Sequence, residues 1–348
     1  AEPFVGIIPF DLLSGIAKEC PGTLVIESGK LKEEPAVVIR HFEKTRKTTN
    51  IEAGVMESEF KLFTRPAEDF PAAEKMDGEP VIRAKVADLV DALNWVLPAL
   101  DDHSRYGLIF RQDEGHITLG ATNGYVLATY GGIPAELPRT AKKPLVIPWK
   151  VADRLLDVLE REMKLGPDAM LEVRIKEGEG EETDAWCFSG ECWHMNATTE
   201  KVEFPAAAWD LLQREDTTYG TAKVEAFRKA FKEVAAALKN TEKPTVTIAF
   251  TNKGLVLSSK SAGSSEVVRP VGGACRGIAQ SIRVTVENLK DWLKALPKND
   301  WIGLAAIEMS EPAVFLCRSK PQARWIVAGH KEDTNPKTQA TAAAQEAA

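Results

Sequence analysis

The 348-residue chain has 44% hydrophobic and 27% charged residues and a formal net charge of -7 at pH 7. That balance is typical of soluble globular proteins of two or three domains, and it excludes a broadly basic nucleic-acid coat, though not one basic face on an acidic protein. No apolar run approaches the roughly 20 residues of a membrane helix, and five cysteines without a Cys-x-x-Cys pair argue against a disulfide framework or redox motif and for a reducing cytoplasm.

Taken in chain order, the predicted elements repeat. Ile7-Ile8-Pro9-Phe10 opens a strand, and the helix after it carries Leu12, Leu13, Ile16 and Ala17 on one face; this repeat closes at Phe70-Pro71. Val81-Ile82 opens a second, whose helix places Val86, Leu89, Val90, Leu93, Val96 and Leu97 at three-and-four spacing. Gly107–Phe110, the turn signal Asp113-Glu114-Gly115 and His116–Leu119 then read as a hairpin. Val146-Ile147-Pro148-Trp149 opens a third, with Val151, Leu155, Leu156, Val158 and Leu159 on its helix, strands through Cys192-Trp193-His194-Met195 and a second Phe-Pro exit at Phe204-Pro205.

The fourth helix carries Val224, Phe227, Phe231, Val234, Ala235 and Leu238, followed by a hairpin, Thr245–Phe250 and Leu255–Leu257, around Asn252-Lys253-Gly254. The fifth carries Val286, Leu289, Trp292, Leu293 and Leu296. Five copies of strand-helix-strand-strand-strand predict an α+β fold with antiparallel sheets and helices on one side. Polar, turn-rich joints near 72–79 and 212–219 give domains at 1–72 (one repeat), 73–215 and 216–331 (two each), and 332–348 as a polar, Ala/Gln-rich flexible tail.

Three stretches carry a family resemblance: Phe60-x-Leu62-x-Thr64-x-Pro66-Ala67-x-Asp69-Phe70-Pro71, Ala121-Thr122-Asn123-Gly124-Tyr125-Val126-Leu127-Ala128, and Ala230-Phe231 through Ala237-Leu238-Lys239-Asn240. In this order, on a repeat of this kind, they resemble the bacterial β sliding clamp, the processivity subunit of the replicative DNA polymerase. The second is similar to the clamp's Ala-Thr-Asp-Gly-His-Arg-Leu-Ala segment, with Tyr125 and Val126 where the family has histidine and arginine.

The resemblance implies the DNA-clamp fold: a head-to-tail homodimeric ring around duplex DNA, helices lining the hole and sheets outside. Phosphate-facing cations would be Lys223, Arg228, Lys229 and Lys232 on the fourth helix and Lys290, Lys294 and Lys298 on the fifth, with Arg83, Lys150 and Arg154 adding to them. Asp88, Asp91, Asp153 and Asp157 weaken that field, and the same cations would serve equally as solvated helix faces. A pocket for short peptides of polymerase and clamp loader would include Thr122, Gly124, Tyr125, Val126, Leu127, Pro205 and Val327, which plain core packing would also explain. Its Met-Pro-Met-like ending is replaced by Ala328-Gly329-His330.

The protomer interface would join Phe60 and Leu62 to Ala237 and Leu238, although Phe60 and Leu62 could equally pack inward. The family has six repeats where five are read here, with the first domain half-represented.

Catalytic signatures are missing: there is no Gly-x-Ser-x-Gly, P-loop or dinucleotide turn, and neither an enzyme nor a cofactor is expected. Cys187-x4-Cys192-x-His194 departs from zinc spacing and lacks a fourth ligand. Gly178-Glu179-Gly180 and Gly272-Gly273 read as loops, and Glu181-Glu182 as a hairpin tip. The expected function is a non-catalytic sliding clamp; the alternative is a clamp-fold protein that binds replication proteins without encircling DNA.

Overall fold

The structure is a computed structural model that describes residues 10–20, 23–31, 34–42, 56–63, 76, 78–101, 106–141, 145–166, 168–176, 185–191, 193–198, 204–212, 218–238, 241, 244–260, 266–277, 280–306 and 312–329. Two compact units divide the chain, Ala1–Lys75 and Met76–Ala348. No described helix is long and apolar enough to cross a membrane.

The first unit holds α1 (Phe10–Glu19), β1 (Thr23–Leu31), β2 (Glu34–Phe42) and β3 (Met56–Phe63), with the antiparallel sheet order β1-β2-β3. Ile16, Val37 and Ile39 form its core, with Leu13, Leu24, Phe60 and Leu62 packed against them. Ala17, expected on the buried face of α1, is exposed. The predicted strand at 7–9 and the residues from Thr64 to Pro71 lie outside the described residues.

The second unit contains four repeats. The first runs β4 (Ile82–Lys85), α2 (Val86–Val96) with a 3-10 turn at Leu97–Ala99, β5 (Leu108–Asp113), β6 (His116–Thr122) and β7 (Val126–Glu136). The next runs β8 (Leu145–Ile147), α3 (Trp149–Leu165), β9 (Met170–Lys176), β10 (Ala185–Ser189) and β11 (His194–Thr198), followed by a 3-10 helix at Ala206–Leu212. Then come β12 (Thr218–Lys223), α4 (Val224–Ala236), β13 (Thr245–Thr251), β14 (Gly254–Lys260), β15 (Glu266–Gly272) and the short β16 (Ala274–Arg276). The last runs β17 (Ser281–Thr285), α5 (Val286–Ala295), β18 (Trp301–Ala306), β19 (Ala313–Cys317) and β20 (Lys320–Val327).

Consecutive repeats complete each other's sheets. The opening strand of each crosses to its neighbour: β4 pairs with β9 while β8 pairs with β5, and β12 pairs with β18 while β17 pairs with β13. The crossing also supplies helix starts. The first helical N–H of α2, α4 and α5 donates to a carbonyl just before the neighbour's strand: Val86 to Ala169, Val224 to Asp300 and Val286 to Pro244, each at 2.9 Å. Since α2 and α4 have no side-chain N-cap, this bond satisfies one of their orphan donors.

The two pairs are joined by β7 and β20, which run antiparallel with Leu127 opposite Ile326 and Ala128 opposite Trp325. The result is a 13-stranded sheet beside a 4-stranded one of order β15-β14-β13-β17. The apolar helix stripes lie on this surface; Leu89, Leu93, Leu155, Leu159, Phe227, Phe231, Leu289 and Trp292 belong to one core. Gly272-Gly273, expected as a loop, is the corner where the chain leaves one sheet for the other. Gly273 has φ +94°, and a Cβ there would sit 1.8 Å from the Thr221 carbonyl oxygen, so only glycine lets β16 reach β12.

Candidate functional site

Between α4 and α5 lies a groove of about 720 Å³, floored by Phe231 and Leu293 and edged by Arg228, Lys232, Lys290 and Lys294. The sequence dictates this: each helix gives its apolar stripe to the core, and the next positions round the helix are lysines. Lys229, Lys232, Lys290, Lys294 and Lys298 are exposed. Lys294 pairs with Asp291 at 2.7 Å; the other four have no ion pair among the described residues.

Four expected cations are placed otherwise. Arg228 is half-buried and donates to the carbonyls of Leu293 (2.5 Å) and Leu296 (2.7 Å) at the C-terminal end of α5. It satisfies orphan carbonyls at the negative end of that helix rather than facing solvent. Arg83 lies on β4 beside Glu172 (2.8 Å) and Glu136 (3.7 Å), and Lys223 on β12 places its ammonium 5.9 Å from the centre of the Trp301 ring. Their strand neighbours Ile82, Ala84 and Ala222 enter the core, so pleating turns Arg83 and Lys223 to the helix-free face. Arg154 is exposed on α3 but 3.5 Å from Asp157; Lys150, also on α3, is exposed. Helix α2 exposes Asp91 and Asn94 and has no basic residue; α3 exposes Lys150, Arg161 and Lys164 among acidic neighbours, and α4 and α5 expose Lys229, Lys232 and Lys290 alongside Glu225, Glu233 and Glu287.

A second site lies on the helix-free face where β7 meets β20. Leu127, Ala305, Val314 and Ile326 form a separate apolar cluster, covered in part by Phe204, Ala208, Leu211 and Leu212. The turn before β7 is held by side chains: Thr122 Oγ1 accepts from Gly124 N, and Asn123 Oδ1 from Tyr125 N and Val126 N, all at 3.0 Å. Gly124 takes φ +92°, and Tyr125, 71% exposed, stands at the rim. Thr122 is buried and Pro205 half-buried. Val126 and Val327, expected in this pocket, face the helix-side core instead. Leu127 and Ile326, one residue along each strand, point to the helix-free side, where they too are buried, beneath Phe204, Ala208, Leu211 and Leu212.

Trp209 and Ile326 were missed by sequence reasoning. Trp209 lies against Gly120 and stacks on Phe204 at 5.3 Å, with the Arg111 guanidinium 5.3 Å from its ring. The available signal was the apolar run Phe204–Leu212 after a Phe-Pro exit.

Of the expected interface residues, Phe60 and Leu62 turn toward their own core, Leu238 is buried, and Ala237 alone is exposed. What β3 leaves open is backbone, since it pairs only with β2 among the described residues. Cys187 is buried, which pushes its thiol pKa up, and His194 is exposed. Cys192, Gly178, Gly180, Glu181 and Glu182 lie outside the described residues, among which no metal-ligating group occurs.

No family model and no curated protein matches the sequence. Solved structures do. The β subunit of DNA polymerase III from Thermotoga maritima superposes with a TM-score of 0.75 at 18% identity, over 94% of this chain and 81% of that one. The corresponding subunit from Pseudomonas aeruginosa gives 0.73 at 18% identity, over 95% and 84%. The fold is that of the bacterial DNA sliding clamps. The Bacillus subtilis DNA polymerase sliding clamp agrees, with a TM-score of 0.72 at 16% identity over 92% of this chain and 78% of that one. On this clamp fold, the lysine-edged groove belongs to helices and the Leu127–Ile326 cluster to the opposite sheet face.

Proposed function

We propose that the chain is a protomer of a DNA sliding clamp, a non-catalytic cytoplasmic ring that holds a replicative polymerase on duplex DNA. The observation that carries this is the gathering of Lys229 and Lys232 on α4, Lys290 on α5 and Lys298 in the turn just beyond α5 of a clamp fold, unpaired among the described residues. Mobile lysines attract phosphate without reading bases, and a topological link needs nothing tighter. The domains would be those expected from the sequence, with 73–215 and 216–331 as paired repeats. The accessible rim over the buried Leu127–Ile326 cluster, formed by Tyr125, Phe204, Pro205 and Leu211, would receive apolar side chains of short peptides from polymerase and clamp loader. Head-to-tail protomers would associate through strand edges rather than Phe60, Leu62 and Leu238 side chains; the backbone edges of β3 and β15 suit that use.

The lack of any basic residue on α2 and the mixed charges of α3 favour a second reading, a clamp-fold protein that binds replication proteins without encircling DNA. Solution mass with small-angle scattering separates the two. The clamp reading expects a dimer whose distance distribution shows a central hole; a compact or crescent-shaped monomer at all concentrations contradicts it.

A further inference from the structure

The helix-free face has a feature that neither DNA binding nor the Leu127–Ile326 patch uses. Along the next row of the same sheet, Leu316 of β19 stands opposite Gly303 of β18, which stands opposite Thr221 of β12. A glycine between larger neighbours leaves a hollow. It is a groove of about 520 Å³ walled by Trp301, Leu316, Pro321 and Arg324. Trp301 is 37% exposed, and Tyr219, on the same face of β12, is 36% exposed. Gly303 is in extended backbone, and a Cβ there would meet only Leu316 at 3.4 Å, so sterics do not require glycine.

The rim is positive. The Lys223 ammonium lies 5.9 Å from the Trp301 ring centre and the Arg276 guanidinium 4.9 Å from that of Tyr219. Arg318 and Arg324 line the groove itself, and Arg324 is held in place by donating to the carbonyls of Pro321 (2.5 Å) and Ala323 (3.0 Å). None of these four cations has an ion pair among the described residues. Asp300, which precedes Trp301, forms no ion pair with them among the described residues; its oxygens accept from the Cys317 thiol and the N–H groups of Trp301 and Ser319. Four cations without ion pairs around an aromatic-walled, apolar floor are complementary to a strand-like acidic segment with a bulky side chain.

We infer that this groove docks an extended acidic peptide segment of a partner protein, with one aromatic or leucine side chain over Gly303 and carboxylates on Arg318, Arg324, Lys223 and Arg276. Five strands at about 4.8 Å spacing make the strip roughly 19 Å long, the reach of about six extended residues. Duplex DNA fits less well, since its phosphates would meet the rim cations but leave the one-side-chain hollow and its apolar floor unfilled. The inference needs neither a ring nor DNA, so it stands or falls apart from the clamp reading.

The test is fluorescence anisotropy on the full chain. The probe is a labelled peptide of about eight Asp and Glu residues around one Trp, compared with its Lys-substituted counterpart and a short duplex oligonucleotide as competitor. Binding of the acidic peptide alone is expected. Gly303→Phe, which fills the hollow, and the pair Arg318→Glu with Arg324→Glu should each weaken it by about tenfold or more, with circular dichroism and melting temperature unchanged for the charge variant. Failure of the acidic peptide to bind, equal binding of the Lys peptide, undiminished binding by both variants, or displacement by duplex DNA would each overturn the inference.

Discussion

Trp95 of α2 and Trp325 of β20 meet edge to face, their ring centroids 6.4 Å apart at 89°, and the Trp95 indole N–H donates to the Arg324 carbonyl at 3.2 Å. One residue comes from the repeat that begins the second compact unit and the other from the repeat that ends it. Asp91 of α2 reinforces the joint by accepting from Tyr130 of β7 (2.6 Å) and pairing with Lys320 of β20. Burial and that hydrogen bond to Asp91 push the Tyr130 phenol well above its ordinary range, keeping it a donor. The two pairs of repeats therefore share one core across β7 and β20. Trp95→Ala should cost about 3–5 kcal/mol, and Trp95→Phe less, because the ring contact survives. Urea unfolding followed by two probes checks this: the wild type should show one transition for the second unit, and Trp95→Ala a lowered midpoint.

Arg228 and its helix neighbours Lys229 and Lys232 should behave differently although all three are basic. Arg228→Ala removes the donor to Leu293 and Leu296 and should destabilise by about 1.5–3 kcal/mol. Lys232→Ala and Lys290→Ala should leave stability within about 0.5 kcal/mol. They should lower the slope of log K against log salt for DNA by about 0.9 for each phosphate no longer neutralised. Equal DNA slopes for wild type and the lysine variants would remove the groove from the DNA-facing surface.

Gly273 carries a backbone prediction. A Cβ at φ +94°, 1.8 Å from Thr221 O, forces β16 off the edge of β12. Gly273→Ala should cost more than about 1 kcal/mol, whereas Gly15→Ala, at an exposed, open position inside α1, should stabilise by about 0.4–1 kcal/mol. Thermal denaturation of the two variants gives the comparison.

Asp300 sets an acid limb. Burial acts to raise its pKa, but hydrogen bonds from Cys317, Ser319 and the backbone of Trp301 outweigh it and hold the carboxyl at about 2. A folded pKa below the unfolded value, which is about 3.9, stabilises the fold above that value; the gain is lost as pH falls toward 2. Asp300→Asn should lower the melting temperature at pH 7, and the difference from wild type should shrink between about pH 4 and pH 2. A pH-independent difference would remove Asp300 from the acid limb.

Helix periodicity and turn signals made most of the fold legible. Leu89, Leu93, Phe227, Phe231, Leu289 and Trp292 all reach the core, and both hairpins form where Gly115 and Gly254 take positive φ. The exchange of opening strands was not legible, because β4 and β8 look alike locally and only tertiary pairing decides which sheet each joins. Strand parity put two of the expected pocket residues, Val126 and Val327, on the wrong face for a related reason. Val126, Leu127, Ile326 and Val327 are all apolar, so with both faces of the sheet buried no alternation marks which residues point outward. Arg228 reads like its lysine neighbours until the end of α5 is seen beside it.

The central claim, encirclement, is tested most directly by loading the protein with a clamp loader onto nicked circular DNA, raising the salt, and linearising the circle. A topological link predicts retention on the circle through salt and release on linearisation. Equal retention on circular and linear DNA, or loss from both on raising the salt, would contradict it.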